Sequence, residues 1–329
     1  MRRRGERLTI RLCGGLALSG GGATLGPRQL GGAKARQVLL ALCLQHGAGV
    51  SKARLVELLW GSAAPHGATA TLESYVSLLR HRLEPLLGTA VSPIRTMPGG
   101  YRLDVDAVEL DVARFERLLL LAREPGPDAA VTLGRYASAL SAVQAPLLPE
   151  EDAAWVAEAR ELHDSVVLRA TLEAAELALS AGAHGQAERW AAQALQRDQF
   201  SEQAWLVLLR SFELRGQHAD GLRAYESCRS LFATELGCAP GARVREVFPR
   251  LLGADEHHQD DDLDELVDAV FRLHLALAAD PARDAVGMPR APGAGDAGLL
   301  TRAFEDDSAR LKQLLDHVTR QLPGTPVSA

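Results

Sequence analysis

Aromatic side chains are scarce in this chain of 329 residues: four Trp, four Tyr and seven Phe make up 5% of it, against 47% hydrophobic residues in all. A core with so few rings has to be built from Ala, Leu and Val, which favours helices packed through small side chains and a mainly α-helical chain. Cysteine is scarce too. Cys13, Cys43, Cys228 and Cys238 lie far apart without a CxxC pair, which speaks against disulfides and structural zinc and for small buried thiols in a reducing compartment. No apolar run approaches the ~20 residues that span a bilayer, so no membrane partner is expected. The opening MRRRGERLTIRLCGGLAL starts with positive charge as a signal peptide does, but Arg7 and Arg11 interrupt what would be its apolar segment. A soluble cytoplasmic protein is the expectation.

Chemistry-bearing constellations are also lacking. No nucleophile stands beside a base, no paired carboxylates or metal ligands recur at useful spacing, and no GxxxxGK[ST] is present. The chain reads as a non-enzyme without cofactor or metal.

What is there is an asymmetry of charge. Residues 1–105 hold 14 Lys and Arg against 5 Asp and Glu, a net of +9, and the remainder holds 22 against 37, a net of −15, within an overall −6. A basic module joined to an acidic one suggests that the first hundred residues meet a polyanion.

Local patterns divide the chain accordingly. LTIRLCG, GLALSGG and ATLGPRQL read as short antiparallel strands. A helix from Ala35 to Gln45 follows, then a second with Ser51 as N-cap and Leu55, Leu58, Leu59 and Trp60 on one side. A third, from Thr69 or Ala70 to Leu83, places Leu72, Val76, Leu79 and Leu83 in one stripe facing the core. Its opposite face holds Ala70, Ser74, Ser77, Leu78 and His81, edged by Thr71, Arg82 and Arg80. VSPIRTMPGGYRLDV reads as a hairpin turning at Pro98-Gly99-Gly100. Strands, three helices and a hairpin in about 100 residues is the order of a winged helix-turn-helix, whose third helix enters the major groove.

Beyond Asp111 long helices take over, at 111–123, 127–143, about 151–182, 185–197, 201–215, 218–235 and 240–252. A spacing of 34 pairs Ala174 with Leu208, Ala178 with Phe212, Gly182 with Gly216, Ala187 with Gly221, Ala191 with Tyr225 and Ala194 with Cys228. That is the period of tetratricopeptide helix hairpins, which stack into partner-binding scaffolds. The domains expected are thus a winged helix over 1–105, a tetratricopeptide-like helical domain over 111–252, and an acidic linker with a helical tail over 253–329. GADEHHQDDD, with its His257-His258 pair, reads as a solvated linker rather than a metal site, ahead of helices at 263–279 and 299–321.

The segments GGAKARQVLLALCLQHGAGVSKARLVELLWG, TATLESYVSLLRHRL and GGYRL together resemble the DNA-binding domain of the Streptomyces antibiotic regulatory protein family, itself similar to the OmpR/PhoB-type winged helix. RDQFSEQAW and RGQHADGLRAYESCRSLFATELGCAPGARVREV resemble the bacterial transcriptional activator domain that follows it in that family. The resemblance covers residues 7–252 and implies a regulator, usually an activator of a biosynthetic gene cluster. Such a regulator binds direct repeats in promoter double-stranded DNA as side-by-side copies and helps recruit RNA polymerase holoenzyme. On this reading 71–83 is the recognition helix, with Thr71, Ser74, Ser77 and His81 at the bases and Arg80 and Arg82 on phosphates or bases. The wing is 95–102, anchored by Arg95 and Arg102 with Gly100 and Tyr101 between, and the loop 61–68 is a polymerase contact. One departure stands out: the family commonly shows YVSRLRR, and here arginines expected at two positions are Leu78 and His81. A helical scaffold without DNA binding of its own is the rival reading, and the basic first 105 residues argue against it.

Overall fold

The computed structural model describes residues 7–253, apart from residues 46, 88–91, 125 and 127. The linker and helices expected beyond 253 lie outside the described residues. Residues up to Leu251 form one compact unit.

The alternation of LTIR buries Leu8 and Ile10 and leaves Thr9 and Arg11 outward in strand β1, Leu8–Arg11. It pairs antiparallel with β2, Ala17–Gly20, which pairs antiparallel with β3, Ala23–Leu25. A 3-10 turn at Pro27–Leu30 leads into helix α1, Ala33–Leu44. Strand β4, only Val50–Ser51, precedes α2, Lys52–Trp60. The Ser51 hydroxyl accepts from the Arg54 amide at 3.1 Å, as expected of an N-cap.

Helix α3 runs Ala68–Leu87, a turn further than the periodicity suggested and through Pro85. Leu86 and Leu87 are buried, so apolar burial carries the helix past a residue that removes one backbone bond. The hairpin is β5, Ile94–Met97, with β6, Gly100–Leu103, and β4 is its third strand in the order β4-β6-β5.

Strand β7, Val108–Leu110, too short to show a period, lies parallel to β1 with Leu8 opposite Val108 and Ile10 opposite Leu110. The first sheet therefore reads β3-β2-β1-β7. At the end of β7 begins α4, Asp111–Arg123. One Asp111 carboxylate oxygen accepts the Leu12 and Cys13 amides, both at 2.8 Å, and the other accepts the Val112 amide at 2.8 Å. A carboxylate on the first turn also meets the positive end of the helix dipole. Residues 12–14 are further tied to residues 146–148: Gly14 donates to the Pro146 carbonyl at 2.8 Å and Leu148 to the Leu12 carbonyl at 2.9 Å.

The rest is helical: α5 Ala129–Ser141, α6 Ala154–Ser180, α7 His184–Arg197, α8 Glu202–Leu214 and α9 His218–Leu231. A π-helical turn, Phe232–Leu236, ends the helix expected over 218–235, and two short helices, α10 Ala242–Arg245 and α11 Val247–Leu251, stand where one helix over 240–252 was expected. The 34-residue repeat is visible in the backbone. Gly182 and Gly216 both have positive φ, and beside them Ala183 donates to Ala178 and Gln217 to Phe212, each at 2.9 Å. These are the closing bonds of equivalent helix ends 34 residues apart. Between the helices Ala170, Ala174, Ala178, Ala187, Ala191 and Ala194 are fully buried, the small-residue packing that the composition implied.

One apolar core runs from Leu8 through α1 and α3 into α4–α8, and a smaller one gathers Leu209, Tyr225, Phe232, Val244 and Val247. Cys13, Cys43 and Cys228 are buried, but Cys238 is exposed, because it lies in the turn after Gly237 rather than on a packed face. Burial pushes the Cys13 and Cys228 thiols up to about 12, so both are packing groups rather than nucleophiles. Among the described residues no helix is long and apolar enough to cross a membrane, and no group of three or more metal-ligating residues occurs.

Candidate nucleic-acid interface

The two faces of α3 separate as its periodicity requires. Leu72, Val76, Leu79 and Leu83 are each at most 1% exposed, while Thr69, Ala70, Glu73, Ser74, Ser77, His81 and Arg82 are exposed and Thr71 half-buried. Near the N-terminus the hydroxyls fold back on the helix, Thr71 donating to the Gly67 carbonyl and Ser74 to the Ala70 carbonyl at 3.1 Å. His81 stands 3.7 Å from Glu84. Arg82 has no ion-pair partner among the described residues, and its side chain extends into solvent.

Arg80 is placed differently. It comes four residues after Val76, at the edge of the buried stripe, and its guanidinium donates to the Ile94 carbonyl from Nε and Nη2 at 3.2 and 3.0 Å and to the Thr96 hydroxyl at 2.8 Å. It also lies 5.9 Å from the centroid of the Tyr101 ring. This arginine fastens α3 to the hairpin.

Leu78, where an arginine was expected, is half-buried. Its Cδ2 would lie 2.9 Å from a Cβ placed on Gly31, so the side chain packs onto the backbone that leads into α1. Gly31 has a φ of +114°, a conformation that glycine alone adopts without strain.

The hairpin register sets Arg95 directly opposite Arg102, and Thr96 opposite Tyr101. Side chains alternate along a strand; Thr96 and Tyr101 share the face that meets Arg80, and the two arginines share the other. Like charges in direct opposition repel, and Asp104 offsets this by accepting from Arg95 Nε at 2.9 Å and pairing with Nη2 at 2.8 Å. Partial burial works against the Asp104 charge, but the bonds from Arg95 and from the Asp106 and Ala107 backbone prevail and hold its carboxyl below the usual carboxylate range. Arg102 is exposed with no partner among the described residues.

Gly100 and Tyr101 lie inside. Tyr101 is 5% exposed, with Lys52 Nζ and the Arg80 guanidinium each 5.9 Å from its ring centroid. A Cβ on Gly100 would come 2.1 Å from the Val50 carbonyl oxygen, so only glycine lets β4 and β6 close. Both residues build the hairpin. Sequence reading passed over Lys52, which joins the surface beside α3: it pairs with Glu73 at 2.6 Å, and its amide donates to the Gly99 carbonyl at 2.8 Å. The signal was a cation immediately after the Ser51 cap. The exposed loop 61–67 follows Trp60, which stacks on Tyr75 at 6.3 Å between centroids and 21° between planes.

Two family profiles match the chain: the transcriptional regulatory protein C-terminal domain over residues 30–103, and the bacterial transcriptional activator domain over residues 110–252. The regulatory protein DnrI of Streptomyces peucetius is 30% identical over 233 residues, covering 68% of this chain and 85% of DnrI. The chain belongs to the Streptomyces antibiotic regulatory protein family of transcriptional regulators. Transcriptional regulatory protein EmbR of Mycobacterium tuberculosis is also 30% identical, over 261 residues that make up 75% of this chain and 64% of EmbR. The solved structure of EmbR in complex with a low affinity phosphopeptide superposes with a TM-score of 0.62 at 23% identity, over 82% of this chain and 72% of that one. The fold is accordingly that of the family: a winged helix-turn-helix with small sheets, then a helical, tetratricopeptide-like domain. Members of this family are transcriptional regulators rather than enzymes.

Proposed function

We propose that the protein activates transcription of a biosynthetic gene cluster by binding direct repeats in promoter DNA and recruiting RNA polymerase holoenzyme. The observation that carries this reading is the exposed face of α3, where short polar side chains end in Arg82, which has no ion-pair partner among the described residues, on a helix whose other face is locked into the core. Thr71, Ser74, Ser77 and His81 approach base edges in the major groove, where short side chains avoid steric conflict. Arg82 holds a phosphate, and Arg80 contributes charge while it fixes the hairpin. Arg102, with Arg95 beside it, engages the backbone along the wing. Gly100 and Tyr101 act by shaping the hairpin.

The basic net charge of residues 1–105 supports this assignment, and the acidic helical domain suits contacts with protein, either polymerase or a neighbouring copy on the repeat. The loop 61–68 is the polymerase contact. Cytoplasmic, nucleoid-associated residence follows from the function.

The test is a titration of the full chain against DNA upstream of its own gene and its neighbours, and then a genomic pool, at two salt concentrations beside an Arg82→Ala/Arg102→Ala variant. Sequence-selective binding that the variant loses is the expected result. A folded protein with no sequence preference on either DNA would leave the helical scaffold without DNA binding of its own.

A further inference from the structure

Glu73 is the one acidic residue of α3 between Ala68 and Leu83. The other exposed residues up to Ser77 are Thr69, Ala70, Ser74 and Ser77 itself, so the longest exposed side chain on this part of the helix is a carboxylate. Residues three and four apart share a helix face, which sets Glu73 beside Ala70 and Ser77 on the edge that Arg80, two turns later, presents to the hairpin. A lone negative charge on the surface that would meet a polyanion, in a module of net +9, is a cost unless it finds a donor.

Lys52 offsets part of that cost. Its Nζ lies 2.6 Å from Glu73 Oε1. The lysine is itself held in place: its amide donates to the Gly99 carbonyl at 2.8 Å, at the turn of the hairpin, and its Nζ stands 5.9 Å from the centroid of the Tyr101 ring. The second carboxylate oxygen, Oε2, takes no hydrogen bond from the described residues. The two side chains are 34% and 51% exposed, and a pair so open to water adds little to stability. The ammonium therefore orients and partly neutralises the carboxylate while one oxygen stays available.

We infer that Glu73 selects cytosine in the promoter by accepting from its exocyclic amino group, and that Lys52 is the positioning residue that presents the carboxylate. This rests on the proposed DNA binding and names a base for it. In the major groove only cytosine and adenine offer N–H donors, whereas guanine and thymine present oxygen acceptors. An ionised carboxylate has acceptors alone, so guanine and thymine repel it. Adenine sets its N7 acceptor beside its amino group, while the cytosine edge carries the donor by itself, which favours cytosine. Oε2 is the oxygen that takes this bond, with Oε1 kept by Lys52.

The experiment is selection of the full chain on a pool of random duplexes, followed by titration of the selected site with each base in turn at each position. Wild type, Glu73→Ala, Glu73→Gln, Lys52→Met and Lys52→Arg are compared after their melting temperatures have been matched. Wild type is expected to hold cytosine over guanine at one position of the repeat by about fivefold or more. Glu73→Ala is expected to lose that preference there and keep it elsewhere, and Glu73→Gln to move it to adenine, which glutamine pairs with at N6 and N7. Lys52→Met is expected to weaken the cytosine preference, and Lys52→Arg to restore it. Unchanged preferences in Glu73→Ala, or a loss spread evenly over all positions, would overturn the role of Glu73. A cytosine preference untouched by Lys52→Met would overturn that of Lys52. A wild type with no preference at any position would instead remove the DNA-binding reading itself, and this inference with it.

Discussion

Arg80 gives two hydrogen bonds to a single acceptor, the carbonyl oxygen of Ile94, at 3.2 and 3.0 Å. One planar fork therefore ties the middle of α3 to the first residue of β5, and Ile94 itself is 1% exposed. Arg80→Ala leaves that carbonyl buried without its partner and is expected to cost about 1–3 kcal/mol of stability. Arg82→Ala, on the open face, is expected to leave stability unchanged while lowering the slope of log affinity against log salt by about one. Urea denaturation and promoter titration on the two variants separate strut from phosphate contact.

Restoring the family's arginine at Leu78 exchanges packing for charge. Leu78→Arg gives up a half-buried contact with Gly31 and is expected to cost about 1 kcal/mol of stability. The added cation is expected to tighten binding to all DNA and to steepen the salt slope by about one. Affinities for promoter and random duplex at two salts check this; an unchanged slope would place residue 78 away from the phosphates.

The faces of α3 predict opposite phenotypes. Leu72→Ala or Leu79→Ala, each at a position with no exposed surface, is expected to cost about 2–5 kcal/mol. Ser77→Ala is expected to stay within about 0.5 kcal/mol of the wild type and to reduce discrimination between promoter and random DNA.

Asp111 anchors residues 12 and 13 through two amides. Asp111→Ala leaves both donors without their acceptor and is expected to destabilise the chain by about 2 kcal/mol or more. Because these bonds join β1 to α4, amide exchange should quicken at Leu12 and Cys13 before it does in α9.

His163 supplies a pH dependence. Desolvation holds its folded pKa below the unfolded value of about 6.5, so below that pH the unfolded chain takes up a proton that the folded chain refuses. Stability is therefore expected to fall as pH drops from about 6.5 toward the folded pKa. His163→Gln should flatten that part of the curve of melting temperature against pH.

Much of this architecture was written in local patterns. The stripe Leu72, Val76, Leu79, Leu83 located the buried side of α3, Ser51 announced α2, and Gly182 and Gly216 marked equivalent helix ends. What escaped was non-local or short. Val50–Ser51 and Val108–Leu110 have two and three residues, too few to show a period, and their partners lie far along the chain. Tyr101 stood among the wing residues expected at the DNA, although alternation with Arg102 already set it on the face of Leu103. Arg80 was legible as a cation but not as a strut, since that role depends on where β5 arrives. The Leu12 and Cys13 amides gave no hint that residue 111 would accept them, because capping across a hundred residues leaves no local signature.

The parallel pairing of β1 with β7, and the bonds from residues 12–14 to residues 146–148, set an order of events during synthesis. Strand β1 leaves the ribosome about a hundred residues ahead of its partner, and waits for its second set of bonds until α5 has emerged. Contacts of such sequence separation form late. The winged helix therefore matures together with the start of the helical domain, and a nascent chain stopped at residue 105 presents an unpaired strand edge in place of a finished regulator.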